Sequence, residues 1–336
     1  MLKSEYTNKK ILVAGAGGFI GGHLVKKLEE LGSEVIAVDQ KAPGEWHQLP
    51  TTTPAITRDL NLRDAAFEST TGVDWVFNLA CNMGGMGFIE KNKALCMESV
   101  LINTHLLQAA RDNQVEKYFF SSSACVYAAS YQDSLSMEPL KESDAYPAEP
   151  EDGYGWEKLF SERMCRHFLE DYELDVRIAR YHNVYGPLGT FDGGREKAPA
   201  AAARKVAELV FDLTQEIEIW GDGKQLRSFT WINDCIEGTL RLMESDFREP
   251  LNIGSSETVS IQHLYDTILR FEGLEANDVK FNHILDAPLG VRGRSSNNEK
   301  CKEVLNWEPS TPLTEGLEKT YRWIKDQVKN KIGFDL

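Results

Sequence analysis

No apolar run in the sequence approaches the ~20 residues that a membrane-spanning helix needs. The apolar stretch at residues 11–25 is interrupted by five glycines. It also lacks a credible cleavage site, so we do not expect it to be a signal sequence. A strand, a tight turn and a helix explain it better, and we expect no membrane partner.

Closely spaced cysteines are also missing. The six cysteines form no C-x-x-C pair and have no zinc-type spacing; they are Cys81, Cys96, Cys125, Cys165, Cys235 and Cys301. This distribution indicates a reduced cytoplasmic protein without a metal site. Positive charge is scarce, since 37 basic residues oppose 52 acidic residues for a net charge of -15. An acidic surface repels phosphate backbones, so we expect no nucleic-acid partner.

What the sequence does contain is an alternation of short apolar runs and amphipathic segments. The apolar runs predict strands at residues 11–14, 34–38, 75–79, 118–120 and 176–180. The segments between them predict helices at residues 18–31, 103–111 and 157–172. Such alternation predicts an α/β fold with a Rossmann-type, doubly wound parallel sheet.

The pattern changes after Gly186. Further helices are predicted at residues 198–213, 261–271 and 313–329, and a hairpin is predicted at residues 216–230 with its turn at Gly221-Asp222-Gly223. We expect residues 1–185 to form a Rossmann domain, to which residues 231–256 return. Residues 186–230 and 257–336 are then a smaller C-terminal substrate-binding lobe.

A glycine-rich turn, Gly15-x-x-Gly18-x-x-Gly21, joins the first strand to the first helix. The glycines let the backbone approach a pyrophosphate, and the helix N-terminus offers N–H donors. Asp39 ends the second strand, where a carboxylate binds a ribose diol and repels a 2′-phosphate, so NAD is favoured over NADP. The predicted NAD-binding residues are Gly15, Gly18, Phe19, Ile20, Gly21, Asp39, Asp59, Leu60, Tyr154 and Lys158.

A Tyr-x-x-x-Lys pair, Tyr154 and Lys158, follows a strand that ends in serines. Residues four apart share a helix face, and a neighbouring cation favours phenolate, which makes a tyrosine a usable proton acceptor. Ser123 is expected to share the proton of a substrate hydroxyl with Tyr154, and Lys158 to hold the nicotinamide ribose. Cys125, two residues after Ser123, suggests chemistry beyond hydride transfer.

Several of these features also have simpler explanations. A lone cysteine such as Cys125 is usually a small buried apolar residue. The glycines at 84–87 indicate either close approach to a ligand or a flexible loop. Lys197 is either an acid with a lowered pKa or a solvated charge at a helix start. Arginines at 227, 292 and 294 either bind phosphate or form surface salt bridges.

Taken together, the chain resembles the extended short-chain dehydrogenase/reductases, the family of nucleotide-sugar epimerases and dehydratases, from Gly15 to about Trp323. Within it, the chain is most similar to the enzymes that epimerise GDP-mannose at C3 and C5. The segments that carry this similarity are residues 83–89, 122–127, 144–150, 193–199 and 290–294. Dehydratases of the family have an Asp-Glu pair at Ala124-Cys125, so dehydration is not expected.

The resemblance implies an isomerase that oxidises C4 of the sugar with bound NAD, enolises the ketone and reduces it again. GDP-D-mannose would become GDP-L-galactose, with GDP-L-gulose from inversion at C5 alone. The implied catalytic residues are Tyr154, Lys158, Cys125, Lys197 and Ser123. The implied substrate contacts are Gly84, Ser123, Ala124, Cys125, Asn183, Lys197, Lys205, Gln225, Arg227 and Arg292.

Two other functions stay open at this point. A nucleotide-sugar 4-epimerase would need no second acid/base pair, and an NAD(H)-sensing regulatory protein would keep the fold without turnover. Relatives commonly pair through two helices, so the resemblance also implies a homodimer. The candidate interface segments are residues 92–111 and 157–172.

Overall fold

The computed structural model describes residues 5–136 and 138–332. In chain order its strands are β1 (Lys10–Ala14), β2 (Glu34–Asp39), β3 (Ala55–Thr57), β4 (Trp75–Asn78), β5 (Lys117–Ser123), β6 (Asp175–Tyr181), β7 (Val184–Tyr185), β8 (Ile217–Trp220), β9 (Leu226–Ser228), β10 (Thr230–Trp231), β11 (Pro250–Ile253), β12 (Thr258–Ser260), β13 (Phe281–Ile284) and β14 (Gly293–Arg294).

The α-helices lie between and after these strands. They are α1 (Phe19–Leu31), α2 (Arg63–Thr70), α3 (Met86–Lys91), α4 (Lys93–Glu98), α5 (Val100–Asp112), α6 (Tyr154–Tyr172), α7 (Ala198–Phe211), α8 (Ile232–Glu244), α9 (Ile261–Arg270), α10 (Glu299–Leu305) and α11 (Leu313–Ile332). Among the residues described, no helix combines the length and apolar character needed to cross a membrane.

Seven strands form one parallel sheet in the order β11-β6-β5-β4-β1-β2-β3. The strand order reverses direction at β1, so a crevice opens beyond the carboxyl ends of β1 and β4, where ligands bind in sheets of this kind. The predicted α/β class with a doubly wound parallel sheet is confirmed.

Apolar packing covers both faces of the sheet. Along β1, Ile11 and Val13 join one buried cluster, whereas Leu12 and Ala14 join the other. Successive side chains of a strand point to opposite faces, so a continuous apolar run is what a strand buried on both faces requires. Burial of a side chain such as Leu12 contributes about 1.5–3 kcal/mol.

The predicted hairpin at residues 216–230 is wrong. Strands β8 and β9 do not pair with each other: β8 pairs with β13, and β9 pairs with β12 and β14. Gly221 and Gly223 do turn the chain, with φ angles of +78° and +72°. The turn directs the two strands into different small sheets, because segments much later in the chain supply their partners.

After these small sheets begin, the chain returns to the large one. Strand β11 pairs with β6 at the edge of the seven-stranded sheet, and α8 packs against β6 and α1. Helix α7 instead packs against α9 and α11. The polypeptide therefore crosses more than once between the large sheet and the helices beside it.

Candidate active site

A long cavity runs over the carboxyl ends of β1, β2 and β4. Nine of the ten predicted cofactor-binding residues line it; they are Gly15, Gly18, Phe19, Ile20, Gly21, Asp39, Asp59, Leu60 and Tyr154. The tenth, Lys158, is almost completely buried beneath the cavity, with 1% of its surface exposed. Asp59 and Leu60 lie in the cavity wall.

The glycine-rich turn is shaped by close backbone approach. Gly15 has a φ of +85°, a conformation that favours glycine, and a Cβ there would lie 2.9 Å from the Ala80 backbone nitrogen. A Cβ on Gly21 would lie 2.1 Å from the Gly15 carbonyl oxygen. A side chain at Gly15 would push the turn away from the chain that follows β4, and one at Gly21 would push helix α1 away from the turn. The geometry matches the turn that places a pyrophosphate on a helix N-terminus.

Asp39 is held in place at the end of β2. Its carboxylate accepts a hydrogen bond of 3.0 Å from the Gly17 backbone N–H and another of 3.0 Å from the Lys41 backbone N–H. The first bond ties the carboxylate to the glycine-rich turn. Its position suits the diol of an adenosine ribose and opposes a phosphate at the same place.

Tyr154 begins helix α6, three residues earlier than the sequence predicted. Its ring centroid lies 5.5 Å from the Lys158 Nζ atom, one turn along the helix. Ser123, at the end of β5, forms a hydrogen bond that lowers the pKa of the Tyr154 phenol. Burial of the phenol raises its pKa and outweighs this effect. Electrostatic interactions with Cys81, Cys125 and Glu157 raise the pKa further, so it lies well above its ordinary value.

The expectation that Lys158 favours the Tyr154 phenolate is therefore not met in this structure. The Lys158 ammonium instead interacts with the Glu157 carboxylate, 3.6 Å away, and with the Cys81 thiol. Burial alone would lower the pKa of Lys158, yet these two groups outweigh it and the pKa is raised. Lys158 is a cation whose charge is largely compensated by its own neighbours.

A second cavity adjoins the first, and Ser123, Tyr154 and Lys197 line both. Nine of the ten predicted substrate contacts line the second cavity; they are Gly84, Ser123, Ala124, Cys125, Asn183, Lys197, Lys205, Gln225 and Arg227. We call it the sugar cavity. The tenth, Arg292, is not among the lining residues; its guanidinium lies 3.4 Å from the Asp222 carboxylate. Arg294 lines the cavity in its place.

Cys125 lies on the short turn Ala124–Val126 that follows β5. Its backbone N–H donates to the Ser123 hydroxyl at 3.2 Å, and the Arg294 guanidinium donates to its Sγ atom at 3.6 Å. Burial raises the pKa of Cys125 to about 11, with a further contribution from Glu151, and Arg294 only partly opposes them. The cations around Cys125 thus do not lower its pKa overall.

Lys197 lies at the N-terminus of helix α7. The loop before it packs against the glycine-rich loop at 84–87: the Gly85 N–H donates to the Arg195 carbonyl at 3.1 Å. A Cβ on Gly85 would lie 2.4 Å from the Glu196 carbonyl oxygen. Close backbone contact, rather than flexibility, explains a glycine at this position. Burial lowers the pKa of Lys197.

The site also contains two residues, Glu151 and Cys81, that the sequence did not single out as functional, and it gives Arg294 a partner that the sequence did not predict. Glu151 and Arg294 line the sugar cavity and form a buried ion pair beside Cys125. Cys81 lines the cofactor cavity and contacts Lys158. In the sequence, only the position of Glu151, three residues before Tyr154, indicates that it lies near the active site. Its partner is 143 residues away in the sequence, so only the fold reveals the pair.

A model of the NAD dependent epimerase/dehydratase family matches residues 11–254. The chain belongs to this family. The family resemblance found in the sequence is confirmed, and with it the dependence on NAD. The cofactor cavity fits NAD, because Gly15 and Gly21 leave no room for side chains and Asp39 is fixed at the end of β2.

Two plant members of the epimerase/dehydratase family are similar along nearly the whole chain. GDP-mannose 3,5-epimerase 1 of Oryza sativa subsp. japonica is 46% identical over 323 residues, covering 96% of this chain and 83% of that protein. GDP-mannose 3,5-epimerase of Arabidopsis thaliana is 46% identical over 325 residues, covering 96% and 84%.

Solved structures of nucleotide-sugar enzymes have the same architecture. UDP-glucose 4-epimerase of Thermotoga maritima, solved with UDP-glucose, has a TM-score of 0.84 at 26% identity and covers 95% of this chain and 99% of that one. MoeE5, solved in complex with UDP-glucose and NAD, has a TM-score of 0.78 at 28% identity and covers 95% and 99%.

Proposed function

We propose that this protein is an isomerase that epimerises GDP-D-mannose at C3 and C5 to GDP-L-galactose, with GDP-L-gulose as the product of inversion at C5 alone. One observation carries the proposal. Cys125 and Lys197 line the same sugar cavity, which meets the cofactor cavity at Ser123 and Tyr154. Inversion at a carbon needs two groups that exchange protons with it, and oxidation at C4 needs a third.

When bound, NAD in its oxidised form accepts a hydride from C4 of the sugar and in its reduced form returns it. Tyr154 takes the proton of the C4 hydroxyl, and the Ser123 hydroxyl shares it. The buried phenol is hard to ionise. The hydrogen bond with Ser123 is the interaction that lowers the pKa of Tyr154 and so favours its ionised form.

The ketone at C4 acidifies the C–H bonds at C3 and C5, because the enolate spreads its charge onto oxygen. Cys125 and Lys197 then form the acid/base pair that inverts these carbons. A 4-epimerase has no use for such a pair. The sugar has to turn or change its pucker between the two inversions so that both carbons reach the same two groups.

The nucleotide end of the substrate has its own set of proposed contacts. We propose that basic and amide side chains of the sugar cavity hold the diphosphate and base; they are Asn183, Lys205, Gln225 and Arg227. Arg227 is partly buried and donates to the Leu226, Leu289 and Val291 carbonyls at 2.8, 3.1 and 2.6 Å. Arg227 also lines the sugar cavity, where a phosphate can accept a hydrogen bond from a guanidinium.

The test is incubation of the purified protein with GDP-mannose in D₂O, without added cofactor, followed by NMR. We expect deuterium at C3 and C5 together with GDP-L-galactose and GDP-L-gulose. Inversion at C4 without deuterium would instead assign a 4-epimerase, the reaction named for the Thermotoga maritima structure. Tight binding of NAD without any turnover, also after addition of NAD⁺ and other sugar nucleotides, would favour a sensing protein.

We also propose that the protein is a cytoplasmic homodimer. All six cysteines are unpaired, as in a reducing compartment. Helices α5 and α6 pack side by side. Around them four large apolar side chains are exposed; they are Met97, Leu101, Trp156 and Phe160. An apolar surface of this kind on two adjacent helices suits a second copy of the chain.

Substitution Phe160→Glu is expected to shift the dimer toward monomer. Phe160 is 54% exposed, and a two-fold interface would bury it twice. Losing about 1.5–3 kcal/mol per buried phenylalanine raises the dissociation constant at least a hundredfold. Light scattering after size exclusion measures the mass. Leu213→Glu is the matched control, since Leu213 is 73% exposed on another part of the surface. Equal masses for the two variants would contradict this interface.

A further inference from the structure

Three buried polar side chains follow one face of helix α6. Tyr154, Lys158 and Glu162 are spaced four residues apart, so they lie one helical turn after another on the same side. All three are nearly inaccessible, with 6%, 1% and 4% of their surfaces exposed. Tyr154 and Lys158 belong to the proposed reaction, whereas Glu162 is not among the residues that line either cavity. Glu162 can therefore affect the reaction only through other residues.

The Glu162 carboxylate joins helix α6 to two strands of the large sheet. From β6, Arg180 donates to Oε1 from Nε at 2.9 Å and to Oε2 from Nη2 at 2.7 Å. From β5, the Ser122 hydroxyl donates to Oε1 at 2.5 Å. Ser122 and Arg180 lie directly opposite each other in the pairing of β5 with β6. We call Glu162, Arg180 and Ser122 the helix clamp.

Arg180 is itself fixed by contacts outside the helix clamp. Its Nη1 atom donates to the Glu142 carbonyl at 2.7 Å, and its guanidinium lies 5.1 Å from the centroid of the Tyr127 ring. All three guanidinium nitrogens thus have partners, and only 2% of the residue is exposed. Rotation of the side chain would break several of these contacts at once, so the helix clamp has one defined geometry.

The helix clamp is attached to the elements that carry the first proton transfer. Ser122 immediately precedes Ser123 at the end of β5, and Glu162 lies about two helical turns after Tyr154. Ser123 and Tyr154 come from different elements, yet they form a hydrogen bond with each other. That bond depends on how α6 lies against β5. An α-helix uses its backbone hydrogen bonds internally, so side chains have to fix it against a sheet.

Stability alone does not account for the helix clamp. Burying an ion pair costs desolvation energy that offsets much of its attraction, and apolar residues of similar volume often replace such a pair without loss of stability. Apolar contacts, such as those of Cys165, already hold α6 on the sheet, but apolar packing is non-directional. Charge-assisted hydrogen bonds add the direction that apolar contacts lack.

We propose that Glu162 is a positioning residue, which fixes helix α6 against β5 through Arg180 and Ser122 so that Tyr154 and Ser123 reach the same substrate hydroxyl. The inference rests on the proposed function and deepens it by naming what holds the first proton-transfer site together. Misplacement of a reacting group by about 1 Å can lower a rate by about 10²-fold. Loss of the helix clamp should therefore slow the chemical step and leave substrate binding almost unchanged.

The first test uses the double substitution Glu162→Met/Arg180→Met, which replaces the ion pair by unbranched apolar side chains. Its kcat with GDP-mannose, per molecule of bound NAD, should fall by about 10–100-fold while KM stays within about threefold. Arg177→Met is the matched control, because Arg177 is buried near the start of the same strand and donates to Asp175 at 2.7 and 3.0 Å. Its kcat should equal that of the unmodified protein. An unchanged kcat in the double variant would overturn the proposal.

A second readout needs no substrate. In protein labelled with ¹³C at tyrosine Cζ, the NMR resonance that is lost in Tyr154→Phe belongs to Tyr154, and its shift in Ser123→Ala marks the loss of the Ser123 hydrogen bond. The double variant should move this resonance in the same direction, and Arg177→Met should leave it in place. An unmoved resonance in the folded double variant contradicts the role of Glu162. If GDP-mannose is not converted at all, the proposed function fails while this result still stands.

Ser122→Ala covers the case in which the double variant does not fold. The substitution removes one hydroxyl from the helix clamp and leaves the ion pair in place. We expect the Tyr154 resonance to move in the same direction and kcat to be about three- to tenfold lower at an unchanged KM, the effect of one lost hydrogen bond. A folded Ser122→Ala variant with the resonance and kcat of the unmodified protein would show that the helix clamp does not position the site.

Discussion

Tyr154→Phe should lower the rate of product formation from GDP-mannose by about 10²–10⁴-fold, the range typical of the loss of a general acid/base. The phenol is the group at the junction of the two cavities that can take the C4 hydroxyl proton. Ser123 lies beside it but has no basic form near neutral pH. Without the phenol, neither oxidation at C4 nor any later proton exchange begins.

The pH dependence of the rate gives a second signature of the same residue. Burial and neighbouring acidic groups raise the pKa of Tyr154, so most of the phenol is protonated near neutral pH. Below that raised pKa the phenolate fraction increases tenfold for each pH unit. The rate of the unmodified protein should rise with pH over this range, and the residual rate of Tyr154→Phe should lack this rise.

Tyr118→Phe provides a matched control. Tyr118 is buried on β5, the strand that ends at Ser123, and its hydroxyl donates to Asn103 at 2.9 Å outside both cavities. Its removal should cost about 1 kcal/mol of unfolding free energy without a loss of rate. Similar rates for Tyr154→Phe and Tyr118→Phe, both folded, would contradict the role of Tyr154.

The parts of the site that could be predicted from the sequence follow local rules. A tight turn between an apolar strand and a helix requires glycine at positions 15 and 21, because a Cβ there would collide with nearby backbone atoms. The role of Asp39 could be predicted because it ends β2, and side chains at the carboxyl ends of parallel strands reach the ligand crevice. Helix α1 begins at Phe19 and ends before Gly32, whose φ is +86°, within one residue of the prediction.

The parts that could not be predicted depend on contacts between distant segments. Strands β8 and β9 looked like a hairpin because the glycines between them turn the chain, but later strands compete for their edges. The upward direction of the Cys125 pKa depends on burial and on Glu151, whose charge is fixed by Arg294 from a strand more than a hundred residues later.

Cys125→Ala is expected to reduce the formation of both GDP-L-galactose and GDP-L-gulose by about 10²–10⁴-fold, since both products require inversion at C5, which needs both members of the acid/base pair. The alanine removes the thiol that accepts from Arg294 in the sugar cavity and keeps the backbone of the turn at 124–126. GDP-mannose should still bind, because the proposed contacts to the nucleotide do not involve the thiol. NMR of the products and a binding titration measure the two quantities.

Cys96→Ala is the control that separates chemistry from packing. Cys96 belongs to the same small apolar cluster as Cys125 and Tyr154, is completely buried and lines neither cavity. Both substitutions remove one sulfur from that cluster, so their effects on the melting temperature should be similar while their effects on the rate differ. If Cys125→Ala forms both products at the unmodified rate, Cys125 is a packing residue. The proton that completes each inversion must then come from another group.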